Sequence, residues 1–72
     1  MRYQATEPNG DVSEEDLQMI ALFAEGLSVE AIARRFDLSE RTVRRRARTL
    51  CDRFGARAMV QVVAWAARRG VI

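Results

Sequence analysis

Residues 39–48 read Ser39-Glu40-Arg41-Thr42-Val43-Arg44-Arg45-Arg46-Ala47-Arg48, and this stretch decides the fold. A serine able to cap a helix precedes five arginines within eight residues. On a helix, Ala47, Leu50 and Phe54 fall within about 40° of Val43 and form an apolar stripe. About 100–200° away, the opposite face carries Arg41, Arg44, Arg45 and Arg48. One face can therefore pack on a core, while the other directs guanidinium groups outward, as binding to DNA grooves and phosphates requires.

Length and composition predict one small soluble domain. A chain of 72 residues buries only about 60% of its unfolded surface, so self-association would add useful stability. Cys51 is the single cysteine and histidine is absent, which excludes an internal disulfide and argues against a zinc site or any other metal or cofactor. Cys51 is expected to be a small buried hydrophobic residue, with a redox switch as the alternative. No apolar run reaches membrane-spanning length, so a cytoplasmic location is expected.

Charge divides the chain into two halves. Residues 1–40 carry nine acidic residues and three arginines, which gives −6, whereas residues 41–72 carry nine arginines and one aspartate, which gives +8. Such polarity would orient the protein in the field of a polyanion. The alternative is that the arginines only keep helix surfaces soluble, but charges that serve solubility are usually mixed in sign.

Local signals predict an all-α fold of four helices behind a flexible lead at residues 1–12. Ser13 and Asp16 form a near capping box at the start of the first helix, and Gly26 ends this helix. The residues expected to face the core are Met19, Ile20, Phe23 and Ala24. Ser28 caps a second helix of about eight residues, followed by a turn at Asp37-Leu38. Ser39 caps the third helix, which ends at Phe54 before Gly55. The fourth is predicted from Ala58 to Arg69, with Gly70 as its stop and Val71-Ile72 folding back.

Two capped helices joined by a short turn are typical of a helix-turn-helix. Three segments resemble the DNA-binding domain of bacterial LuxR/GerE/FixJ-type transcription regulators: residues 24–28 (AEGLS), 32–36 (IARRF) and 38–44 (LSERTVR). The resemblance runs from Val12 to Ile72 and includes the closing Arg-Arg-Gly-Val-Ile. Residues 13–72 are thus expected to form this domain. If Met1 is the native start, the chain is a stand-alone regulator of the GerE kind; otherwise it is an effector domain cut from a longer protein.

The resemblance implies a homodimer that binds a two-fold promoter site in double-stranded DNA, with the helix at 40–54 in the major groove and RNA polymerase as a possible further partner. It implies a phosphate contact for Thr42, a DNA contact for Arg44, base reading by Arg45 and Arg48, and a phosphate at the backbone amides near Ser28. From the residues alone, Arg44, Arg45 and Arg48 could each bind a guanine, a phosphate or solvent, and Arg48 could pair with Asp52. Arg41 is a phosphate candidate.

The chain departs from the family pattern at several positions. Arg46 stands where the family often has histidine, and it could reach phosphate or an acid on the second helix; it is included among the expected DNA contacts. Asp37 replaces a glycine, Arg53-Phe54 replaces Lys-Leu, and Ala58-Met59 replaces Ser-Arg, so the fourth helix loses its usual cap.

The fourth helix is apolar on two sides, although only one can face its own core. Val62, Val63, Ala66 and Met59 form the first side. The second side, with Trp65 beside it, is the predicted dimer interface: Val60, Ala64, Trp65 and Ala67. Trp65 could equally pack on the chain's own body.

Two functions remain open at this stage. One is a homodimeric DNA-binding regulator. The other is an adaptor or antagonist that places its basic face on an acidic protein. An enzyme is not expected, because the chain lacks histidine, a base beside Cys51 and a glycine-rich phosphate loop, and no small-molecule ligand is expected either.

Overall fold

The computed structural model describes residues 12–72, which form four α-helices and no strand. They are α1 (Glu14–Ala24), α2 (Val29–Phe36), α3 (Glu40–Phe54) and α4 (Met59–Arg68). The predicted all-α class is confirmed. The predicted lead at 1–12 lies outside the described residues except for Val12, which packs against the core. Within residues 12–72, every helix is too short or too polar to cross a lipid bilayer.

Serine side chains begin the first three helices as predicted. The Ser13 hydroxyl accepts the Asp16 N–H at 3.0 Å, and the Asp16 carboxylate accepts the Ser13 N–H at 3.2 Å, which completes a capping box. Ser28 and Ser39 each accept one backbone N–H in the same way. Ala58 gives α4 no side-chain cap, as expected from its sequence. Instead, the Gln61 side chain accepts the Arg57 N–H at 2.6 Å.

All four helices end in the same turn. At α1, the Gly26 N–H donates to the Phe23 carbonyl and the Leu27 N–H donates to the Leu22 carbonyl, which is the Schellman pattern. The residue with positive φ is Gly26 after α1, Asp37 after α2, Gly55 after α3 and Gly70 after α4. Among residues 12–72, Asp37 (φ 56°) is the one non-glycine residue with positive φ. The turn predicted at Asp37-Leu38 is therefore present, and Asp37 adopts in it a left-handed conformation that glycine adopts most easily.

The core consists of two clusters that share α1 and α3. One cluster joins α1, α2 and α3 through Met19, Ile32, Ala33 and Val43. The other joins α1, α3 and α4 through Ile20, Leu50, Phe54, Val62 and Ala66. Helix α3 contributes Val43 to the first cluster and Leu50 and Phe54 to the second. The predicted apolar stripe of α3 is thus the seam along which both halves of the domain pack.

One predicted core position is wrong. Ala24 is exposed, and Phe23 is only half-buried, whereas Met19 and Ile20 are fully buried. Leu22 and Phe23 in the last turn of α1 still pack against the α1/α2/α3 cluster. Ala24 lies one turn beyond Ile20, which is the last residue of α1 in the α1/α3/α4 cluster. At the other end of the chain, the Val71 N–H donates to the Ala66 carbonyl at 3.1 Å, and the final two residues border a groove with Leu17 and Ala21.

Cys51, predicted to be a small buried hydrophobic residue, is half-buried at the edge of the α1/α3/α4 cluster. Partial burial raises the pKa of the Cys51 thiol above its usual value, and the neighbouring Asp52 carboxylate raises it further. A raised pKa leaves less thiolate at neutral pH, which favours the packing interpretation over a redox switch.

Replacing Asp37 with glycine is expected to stabilise the domain. Glycine adopts φ 56° without the steric cost that a Cβ imposes, and the change removes a negative charge from the negative end of the α2 dipole. The expected gain in the free energy of unfolding is about 0.5–1 kcal/mol, after allowing for the greater freedom of glycine in the unfolded chain. Thermal and urea unfolding followed by circular dichroism would measure it.

Asp37→Asn is the matched variant, because it removes the charge but keeps the Cβ. If backbone strain dominates, Asp37→Asn should raise the free energy of unfolding by less than Asp37→Gly does. Loss of stability in Asp37→Gly would show that the aspartate side chain is needed in the turn.

Candidate nucleic-acid interface

Helices α2 and α3 form a compact pair joined by the turn at residues 37–39. Ile32 and Ala33 of α2 pack against Val43 of α3, and the Leu38 N–H closes the turn on the Ala33 carbonyl at 2.9 Å. This arrangement fixes the N-terminus of α3 relative to α2. It has the geometry of a helix-turn-helix, in which the second helix is presented to the outside.

The outer face of α3 is a continuous basic surface. The four arginines predicted to project outward are all exposed, and together they border a shallow groove of about 350 Å³: Arg41, Arg44, Arg45 and Arg48. We call this surface the outer groove. Val43, Leu50 and Phe54 on the inner side are each no more than 2% exposed. The predicted division of α3 into an apolar and a basic face is confirmed.

Within the described part of the chain, most of the charge in the outer groove is not neutralised by carboxylates. Arg44 pairs with Glu40 one turn earlier, with a nitrogen–oxygen distance of 3.0 Å. No carboxylate within residues 12–72 forms an ion pair with Arg41, Arg45 or Arg48, so the considered pair between Arg48 and Asp52 does not form. Exposed pairs such as Arg44–Glu40 contribute only about 0.3–0.5 kcal/mol. The outer groove is therefore positioned to receive an anionic partner.

Hydroxyl groups lie at the N-termini of both helices of the turn, α2 and α3. The Ser39 hydroxyl accepts the Thr42 N–H at 3.0 Å and donates to the Thr42 hydroxyl oxygen at 2.9 Å. The Thr42 hydroxyl proton is then left to donate to a further acceptor. Ser28 is exposed at the start of α2, where free backbone N–H groups and the helix dipole favour an anion.

Arg46 does not lie on the outer groove. Its guanidinium contacts the Glu15 carboxylate of α1 at 2.8 Å. The sequence left phosphate or an acid on the second helix as partners for Arg46, but the acid that it contacts lies on the first helix. A parallel contact joins Arg53 of α3 to Asp16 of α1 at 3.5 Å. Neither pair was predicted from the sequence, because the partners are far apart in the chain and no local pattern relates them.

The four residues of the predicted dimer interface do not all lie in one environment. Val60 is 70% exposed, Ala67 is exposed and Ala64 is half-buried. Trp65 instead packs edge-on against Phe54 with ring centroids 4.7 Å apart, and the Arg69 guanidinium lies 5.4 Å from the indole centroid. Of the two positions considered for Trp65, the structure shows the one on the chain's own body. The first apolar side of α4 faces the core as predicted, with Val62 and Ala66 fully buried.

Comparison with known proteins assigns the α1–α3 unit to a family. Residues 15–56 match the homeodomain-like domain, a helix-turn-helix family. The matched region begins inside α1 and ends just after α3, so it contains both helices of the turn and the whole outer groove. No curated protein and no solved structure is significantly similar to the chain.

Proposed function

The chain belongs to the homeodomain-like helix-turn-helix family, and we propose that it is a non-enzymatic transcription regulator that reads double-stranded promoter DNA as a homodimer. The observation that carries this proposal is the outer groove. Four exposed arginines lie on one face of the second helix of the turn, and three of them have no carboxylate partner within the described residues. The finer assignment is to the LuxR/GerE/FixJ type, which the fourth packed helix and the closing Gly70-Val71-Ile72 support.

In this proposal α3 enters the major groove with its N-terminal turns leading. A guanidinium group can donate two parallel hydrogen bonds to O6 and N7 of guanine, which contributes about 1–3 kcal/mol of discrimination. Arg45 and Arg48 are proposed as the base-reading residues, because both are exposed and unpaired within residues 12–72. Arg44, which already has Glu40 as a neighbour, and Arg41, at the first turn, are proposed to hold phosphates.

Two further phosphate contacts are proposed at helix N-termini. The Thr42 hydroxyl is oriented by the hydrogen bond from Ser39, so it can donate to a phosphate oxygen without losing its cap. Ser28 and the first amides of α2 offer a second phosphate site with the favourable end of the helix dipole. Such contacts set the position of the protein on DNA but read no sequence.

The proposed dimer forms through the outer side of α4. Val60 and Ala67 present exposed apolar surface, and the small side chains at 64 and 67 would let two helices approach closely. A two-fold pair would present two α3 helices to successive major grooves, about 34 Å apart. Because Trp65 packs on Phe54, its proposed contribution is to support this face from behind.

Alanine substitutions on α3 should separate base reading from phosphate binding. Arg45→Ala or Arg48→Ala should relax the preference at one base pair by about 10- to 100-fold. Arg44→Ala should instead weaken binding to all sequences by a similar factor, and it should lower the slope of log affinity against log salt by about one, since one phosphate contact is lost. Selection of binding sites from random duplexes, followed by titration at several salt concentrations, measures both effects.

Arg34→Ala is the control, because Arg34 is exposed on α2 and paired with Glu30, outside the outer groove. It should leave affinity and preference nearly unchanged. Absence of DNA binding by the unmodified protein at low salt would refute the proposal. A stable complex with an acidic protein in that case would favour the adaptor function instead.

Val60→Glu should prevent dimer formation without unfolding the helix. Val60 lies in the first turn of α4, where a carboxylate interacts favourably with the helix dipole, and glutamate is a better helix former than valine. Two buried carboxylates facing each other should weaken the dimer at least about tenfold. Sedimentation equilibrium measures the dissociation constant of the dimer, and the affinity for the two-fold promoter site should fall in parallel.

Gln18→Glu is the matched control, since it adds the same charge at an exposed position of α1. It should leave the dimer intact. A monomeric unmodified protein, or a dimer unaffected by Val60→Glu, would show that α4 is not the interface.

A further inference from the structure

A notch separates the N-terminus of α1 from the flank of α3. It has a volume of about 370 Å³ and is lined by carboxylates on the α1 side and guanidinium groups on the α3 side: Glu15, Asp16, Arg45, Arg46 and Arg53. Arg45 borders both this notch and the outer groove. The notch is therefore continuous, through Arg45, with the surface proposed to face DNA.

Glu15 occupies this notch in the way a phosphate would. Its carboxylate oxygen lies 2.8 Å from the Arg46 guanidinium, which is the distance of a charge-assisted hydrogen bond. The Arg46 and Glu15 side chains are 37% and 50% exposed, so the pair is open to solvent and to competing anions. Glu14, its neighbour in the same helical turn, is exposed and forms no ion pair among residues 12–72.

Resting on the function proposed above, we propose that Glu15 is a positioning residue that competes with DNA phosphate for Arg46. While Glu15 holds it, Arg46 is turned toward α1 and makes no contact with the DNA backbone. Loss of the carboxylate frees a long cationic side chain in the notch, next to Arg45 of the outer groove, and the freed guanidinium then reaches a phosphate. Glu15 thereby limits the sequence-independent part of DNA affinity, because a phosphate contact strengthens binding to every sequence equally.

Glu15→Gln is the test, with Glu14→Gln as the matched control. Both remove one negative charge from the first turn of α1, so they share any loss of helix-dipole stabilisation and any relief of repulsion from DNA. Glu15→Gln should bind duplexes of specific and random sequence about 3- to 10-fold more tightly at low salt than Glu14→Gln. Its plot of log affinity against log salt should also be steeper by about one, since one more phosphate is neutralised.

Two further variants make the result specific to Arg46. Arg46→Gln alone should leave the salt slope of the unmodified protein unchanged, because Arg46 makes no phosphate contact there. In the Arg46→Gln background, adding Glu15→Gln should have no more effect than adding Glu14→Gln. Thermal unfolding of each variant reports whether the fold is retained.

Several outcomes would overturn the inference. Equal affinity and slope for Glu15→Gln and Glu14→Gln would show that Arg46 is not released. Weaker binding by Glu15→Gln, or a shallower slope for Arg46→Gln, would show that Glu15 instead orients Arg46 on a phosphate. These results leave the proposed function intact, whereas failure of the unmodified protein to bind DNA at low salt would refute both.

Discussion

The packing of α3 along its apolar seam is the constraint on which the rest of the domain depends. Val43 is buried with α1 and α2, while Leu50 and Phe54 are buried with α1 and α4. Both clusters therefore lose a central member if α3 rotates about its axis. Because the side chains of a helix are fixed relative to one another, burying this seam also sets where the arginines point. The basic face points outward because the apolar face is buried in the core.

Electrostatics then divides the arginines of α3 by position. Among residues 12–72, three of the four arginines on the outer groove have no carboxylate partner, whereas Arg46 and Arg53 on the flank pair with Glu15 and Asp16 of α1. The acidic first turn of α1 thus serves its own helix dipole and also neutralises one side of α3. The opposite charges of the two halves of the sequence are joined across the fold at this flank, and the excess positive charge is concentrated on the face proposed to meet DNA.

Local features were largely predictable from the sequence, and contacts between distant segments were not. Ser13, Ser28 and Ser39 were identified as caps because a capping hydrogen bond spans only three residues. The left-handed turn at Asp37 and the two faces of α3 follow equally from short-range rules. The partners of Arg46 and Trp65 depend on how whole helices pack, which neither periodicity nor capping encodes. Ala24 shows the same limit, because helical spacing gives its direction but not how far the α1/α3/α4 cluster extends along α1, and that cluster reaches Ile20 only.

Helix α4 lies outside the region that matches the homeodomain-like family, yet it is part of the same core. Val62 and Ala66 are fully buried against Ile20, Leu50 and Phe54, so a chain ending after α3 would expose that whole cluster. This requirement accounts for only one side of α4. The opposite side retains Val60 and Ala67 in contact with solvent, although polar residues there would serve a monomer better. A helix that is apolar on both its inner and its outer side is what the proposed homodimer requires, since a two-fold partner would cover the outer side and place the two α3 helices at the spacing of successive major grooves.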